Sequence, residues 1–81
     1  MQAKDIKAIL STIPHGTTLT IRQIQILVKM SFHLTAADWA VHTKTRHTNY
    51  RRWQHRIQGV MSEYKRKGIV MHNATTHSYT F

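Results

Sequence analysis

The chain of 81 residues contains no cysteine, one proline, three glycines and three acidic residues. Each scarcity excludes something. Without cysteine there is no disulfide framework and no thiolate zinc site, and the composition fits a reducing compartment. The acids, Asp5, Asp38 and Glu63, are scattered along the chain. They cannot supply the converging carboxylates of a metal-dependent nuclease, or the acid that orients a Ser or Thr nucleophile. No glycine-rich phosphate loop is present. The expectation is therefore a non-catalytic protein without a cofactor. No apolar run approaches the ~20 residues of a membrane span, and the N-terminus alternates charged and apolar residues unlike a signal peptide. A cytoplasmic protein with no membrane partner is expected.

What the chain does have is positive charge. It carries 12 Lys and Arg and a formal net charge of +9. Eight of these cations (Lys44, Arg46, Arg51, Arg52, Arg56, Lys65, Arg66 and Lys67) fall in one stretch whose sole acid is Glu63. A clustered positive field attracts polyanions, and duplex DNA is the partner this pattern favours over a solvated basic face or an anionic membrane. The seven histidines show no paired spacing on any one expected helix, so no metal site is expected. Because an ordinary His titrates near about 6.5, affinity for DNA should rise as pH falls.

The hydrophobic pattern reads as one domain over 1–81, with a thin core at this length. Ala3, Ile6, Leu10 and Ile13 recur at helical spacing and predict a helix over Gln2–Thr12, stopped by Pro14 and Gly16. Thr17–Leu19 reads as a short strand. Thr20 and Gln23 form a capping-box pair that opens a second helix reaching Met30, with Ile21, Ile24, Leu27 and Val28 buried and Ile26 off the stripe. Thr35 and Asp38 repeat the signal for a short helix over Ala36–His42, anchored by Trp39. A polar loop follows over Thr43–Thr48. The last helix should run from Asn49 to Lys67 on a stripe of Trp53, Ile57, Val60, Met61 and Tyr64, closed by Gly68. Ile69–His72 and His77–Phe81 read as strands around a turn at Asn73–Thr76, with His77, Tyr79 and Phe81 on one face. Both tryptophans, with Met30, Met61 and Met71, read as core. The expected fold class is mainly α with a small C-terminal β-hairpin, in the order of a winged helix-turn-helix.

The run Trp53-Gln54-His55-Arg56-Ile57-Gln58-Gly59-Val60-Met61-Ser62-Glu63-Tyr64-Lys65-Arg66-Lys67-Gly68-Ile69-Val70 resembles the end of the N-terminal winged-helix domain of Mrr-type restriction endonucleases. That family has an Asn-Arg-apolar segment and a helix ending in Tyr-Leu-Lys-Lys-Ala-Gly-Leu. Here Arg56-Ile57 matches the Arg-apolar pair, and Tyr64 to Ile69 matches the helix end. Leu34-Thr35-Ala36-Ala37-Asp38 is similar to the segment that opens the family's short helix. The chain departs from the family in its basic, His-rich loop at Thr43–Thr48, and in carrying His55 where the family has Asn. The resemblance implies a DNA-contacting domain without the attached nuclease, such as a small regulator of transcription.

Docking of such a fold on DNA brings the start of its recognition helix to base edges. That singles out Thr48, Asn49, Arg51, Arg52 and His55, with Gln58 further along the same side. Arg can bridge guanine and Asn adenine in the major groove. Lys44 and Arg46 in the loop suit phosphates, as do Lys65 to Lys67 at the far end. Asn73 and Thr75 in the hairpin turn are weaker candidates for backbone or minor-groove contact. Arg56, at the edge of the apolar stripe, is expected to pair with Asp38 or a carbonyl. The rival reading is an interaction module whose basic face docks an acidic protein. RNA or an unusual duplex would suit the same charge, and a homodimer is compatible with it.

Overall fold

The computed structural model of the chain describes residues 1–40 and 51–81. In chain order its elements are α1 (Ala3–Leu10), β1 (Thr18–Thr20), α2 (Ile21–Ser31), α3 (Ala36–Trp39), α4 (Arg52–Arg66), β2 (Met71–Asn73) and β3 (Ser78–Thr80). The described chain is helices plus one small antiparallel sheet.

Side chains near the helix ends set where each helix begins and stops. The Asp5 carboxylate accepts the Gln2 N–H at 2.7 Å and opens α1. The helix ends two residues sooner than its apolar spacing predicts. The hydroxyls of Ser11 and Thr12 donate to the carbonyls of Ala8 and Ile9 at 2.6 and 2.7 Å, and such local bonding competes with continued helix. At α2 the Thr20 N–H donates to Gln23 Oε1 at 2.8 Å, while the Gln23 N–H donates to Thr20 Oγ1 at 3.2 Å. Thr35 and Asp38 form the same reciprocal pair. Both capping boxes stand where the sequence places them.

Helix α3 is a single turn. Ala40 is already extended at ψ 143, so the helix does not reach the expected His42. Helix α4 begins at Arg52, not at Asn49. Arg51 is extended (φ −97, ψ 159) and donates its N–H to Gln54 Oε1 at 2.9 Å, which makes it the N-cap. The Arg52 N–H donates to the Ala40 carbonyl at 3.0 Å and ties α4 to the end of α3. At the other end Gly68 takes φ 74. The Ile69 N–H donates to the Tyr64 carbonyl at 2.9 Å and the Gly68 N–H to Lys65 at 3.2 Å. This pair of bonds is a Schellman motif, and its left-handed residue is the glycine the sequence marks.

The sheet has the order β1-β3-β2, all antiparallel, so β1 pairs with the final strand and converts the expected hairpin into three strands. Leu19, Tyr79 and His72 lie in one rank across it, and Thr18, Thr80 and Met71 in the next. Strands β2 and β3 are shorter than expected and β1 is shifted by one residue; the Schellman turn holds Ile69, so β2 opens only at Met71. Asn73 is the last residue of β2, so the turn is Ala74 to His77. Asn73 Oδ1 accepts the amides of Thr75 and Thr76 at 3.0 and 3.4 Å, an Asx-type turn closed by His77 at φ 51. His77 therefore leaves the face on which Tyr79 is buried.

The core is Ile6, Leu10, Ile24, Val28, Trp53, Ile57, Val60, Met61, Val70 and Tyr79. Helices α1 and α2 and the sheet close over the apolar stripe of α4. Of the residues expected to be buried, Ile21, Leu27 and Tyr64 are only half-buried, and Met30, Met71 and Trp39 are exposed. Met30 is 82% exposed, because it lies on the side of α2 away from Ile24 and Val28. Met71 is 77% exposed on the outer side of the sheet, in the rank of Thr18 and Thr80. Trp39 is 40% exposed: it ends the one-turn α3 and meets Trp53 edge-on, with ring centroids 5.5 Å apart. Lys29 Nζ lies 5.3 Å from the Trp39 ring, a cation–π contact across α2 and α3. Ile26, off the stripe in sequence, is exposed.

Candidate nucleic-acid interface

Helix α4 buries Trp53, Ile57, Val60 and Met61. At about 100° per residue, the side opposite that stripe carries Arg52, His55, Gly59, Ser62 and Arg66. All five are exposed, as are Arg56, Gln58 and Lys65 on its flanks. One helix thus presents a row of cations and polar groups to water because its other side is fixed in the core.

The three acidic side chains are all engaged, Asp5 and Asp38 on other helices and Glu63 at the edge of this row on α4 itself. Asp5 caps α1. Asp38 is buried against the N-terminal ammonium, whose nitrogen lies 2.9 Å from Oδ1, and its other oxygen accepts from the Thr35 N–H and hydroxyl. Burial pushes the Asp38 carboxyl up, but the Thr35 N–H and hydroxyl and the ammonium outweigh it and hold the group below its ordinary value. Glu63 is bridged by Lys7 of α1 at 2.8 Å and by Lys67 at 3.0 Å. Hydrogen bonds from Lys7 and then Lys67 bring its carboxyl down to about 2, and Glu63 in turn raises Lys7. Among the described residues no carboxylate pairs with Arg52, Arg56, Lys65 or Arg66. The expected Arg56–Asp38 pair is not formed. Arg56 stands exposed, because Asp38 already has the ammonium and the α3 cap.

The sequence-predicted residues divide as follows. Arg52, His55 and Gln58 lie together on the exposed side of α4. Arg51 does not join them. It precedes the helix, is half-buried, and donates from Nη1 to the Trp39 carbonyl at 3.3 Å, bracing α3 against the start of α4. Asn73 and Thr75 stand on a separate element, the β2–β3 turn, where the Asn73 side-chain oxygen is engaged in the turn itself. Lys44, Arg46, Thr48 and Asn49 lie outside the described residues.

Gly59 is the feature that residue-by-residue reading of charge passed over. A glycine in a helix interior costs roughly 1 kcal/mol relative to Ala. Here nothing among the described residues demands it. A Cβ at Gly59 would meet no atom within 4 Å, and its φ is not among the positive ones. The signal in the sequence is the position itself, a glycine midway along a strongly periodic helix.

Other features are modest. A groove is lined by Leu10, Ser11, Ile13, His15, Tyr64, Ile69 and Phe81, with no acidic, Lys or Arg side chain among them. Among the described residues no three His, Asp or Glu converge as metal ligands, and no helix is long and apolar enough to cross a membrane. The indole N–H of Trp53 is buried with no hydrogen-bond partner among the described residues. No family model, no curated protein and no solved structure matches the chain.

Proposed function

We propose that this chain is a winged-helix domain that binds duplex DNA through the exposed side of α4, without catalysis. The observation that carries the reading is the charge arrangement. Arg52, Arg56, Lys65 and Arg66 are exposed on one helix, while all three acids are engaged with other partners, Glu63 with Lys7 and Lys67. Phosphate neutralisation with counterion release is what such a surface favours. The order of elements, with β1 completing the sheet beside a β2–β3 hairpin, is compatible with a winged helix and with the likeness to Mrr-type N-terminal domains. A regulatory role in the cytoplasm belongs to the same proposal. A docking module for an acidic protein is the second reading, favoured by the exposed Ile26 and Met30 on α2.

Titration of a labelled mixed-sequence duplex at rising salt tests the reading. Neutralising about five phosphates gives a log–log slope of about −4 to −5. Arg52→Ala with Arg66→Ala should lower the slope by about 2 and weaken binding, with thermal melting nearly unchanged because both side chains are exposed. Arg51 is a poor probe, since its removal would also loosen the Trp39 carbonyl it holds. A wild-type chain that ignores the duplex at low salt would end the proposal.

A further inference from the structure

We propose that Gly59 is the point at which α4 comes closest to the duplex, so that the middle of the helix, and not its first turn, lies deepest in the major groove. The inference rests on the duplex-binding reading above and specifies how that surface engages. Arg52 and Arg66 are seven residues to either side of Gly59 on the same face. At 1.5 Å per residue they stand about 10 Å from it in each direction along the axis, about 21 Å apart in all. The major groove is about 12 Å wide. With α4 laid along the groove, the arginines on either side of its centre reach flanking phosphates, while the glycine between them lets the backbone of α4 approach the floor. Among the described residues no atom within 4 Å of a Cβ at Gly59 accounts for the glycine, so the space there is open to an external surface. A second copy of the same face is disfavoured, because Arg52, Arg56 and Arg66 would oppose their own kind, and the one acid on α4, Glu63, is already bridged to Lys7 and Lys67. In this arrangement His55, Gln58 and Ser62, around the deepest point, face the base edges, and Arg52 and Arg66 serve as positioning contacts.

The test compares the full chain with Gly59→Leu, Gly59→Gln and Ala8→Leu, the last an exposed position on α1. Each is titrated against a fluorescein-labelled mixed-sequence duplex of two helical turns at moderate ionic strength, and each is melted by circular dichroism. Leu and Gln are better helix formers than Gly, so both Gly59 variants should melt at or above the wild-type temperature, by up to about 4–8 °C. Their affinity for the duplex should nonetheless fall about tenfold or more, a loss of the size one mismatched base pair produces. Ala8→Leu should bind as wild type does. Gly59 variants that bind the duplex as tightly as the wild type overturn the inference and leave the duplex-binding reading standing. A wild-type chain that does not bind the duplex overturns both. If Gly59→Leu melts low, Gly59→Gln carries the comparison.

Discussion

Methionine shows how a residue's position on its helix outweighs its type. Met30 and Met61 both occupy helices, yet Met61 is sealed in the core and Met30 stands in water. Met61→Ala should destabilise the fold by about 2–5 kcal/mol, and Met30→Ala should stay within about 0.5 kcal/mol; urea unfolding of the two variants checks this. The sequence separates them only if the stripe on α2 is followed strictly, since Met30 lies two positions beyond Val28. Trp39 was unreadable for another reason: a one-turn helix has no second turn to reveal its buried side. Glu63 gives a residue-scale pH dependence. Its carboxyl titrates near 2 in the folded chain against an ordinary 4.5. Its stabilising share is therefore complete above pH 4.5 and is lost as pH falls toward about 2. Asp38, also lowered, acts with the same sign. Thermal melts between pH 5 and pH 2 should show stability falling with acid, and Glu63→Gln should flatten part of that decline. An unchanged acid limb in the variant would mean the Lys7–Glu63–Lys67 bridge contributes nothing.

At the scale of elements, the helix ends with capping signals and the places of the strands were legible, while the strand pairing and the other helix ends were not. Thr20, Thr35 and Gly68 each carry a local signal whose partners lie within a few residues, so sequence alone places them. Gly68→Ala tests the strongest of these. Forcing a Cβ into φ 74 should cost about 1–2 kcal/mol, or several degrees of melting temperature for a chain this small. The start of α4 was misplaced because no Ser, Thr, Asp or Asn caps it; the Gln54 side chain does so instead, from inside the helix. That shift removes Arg51 from the exposed row and gives it to α3. Three-residue strands have too little alternation to reveal which partner they choose, and the pairing of β1 with β3 is a long-range event that no local pattern encodes. On α4 the charged side was legible from the apolar stripe. The open space at Gly59 was not, since it depends on how the described elements pack around α4.

For the whole molecule, the controlling quantity is the imbalance of charge and its placement. A net charge of +9 on 81 residues opposes compaction, and the chain tolerates it with a core that includes ten buried hydrophobic residues among those described and with three engaged acidic side chains. Such an imbalance is understandable if a polyanion completes the surface. The most direct test is amide chemical-shift mapping of the isotope-labelled full chain as a duplex is added. Binding through α4 predicts the largest perturbations at Arg52, His55, Gly59, Ser62 and Arg66, with smaller ones at the β2–β3 turn. Perturbations centred on Ile26 and Met30 of α2, or none at saturating duplex, would contradict the account.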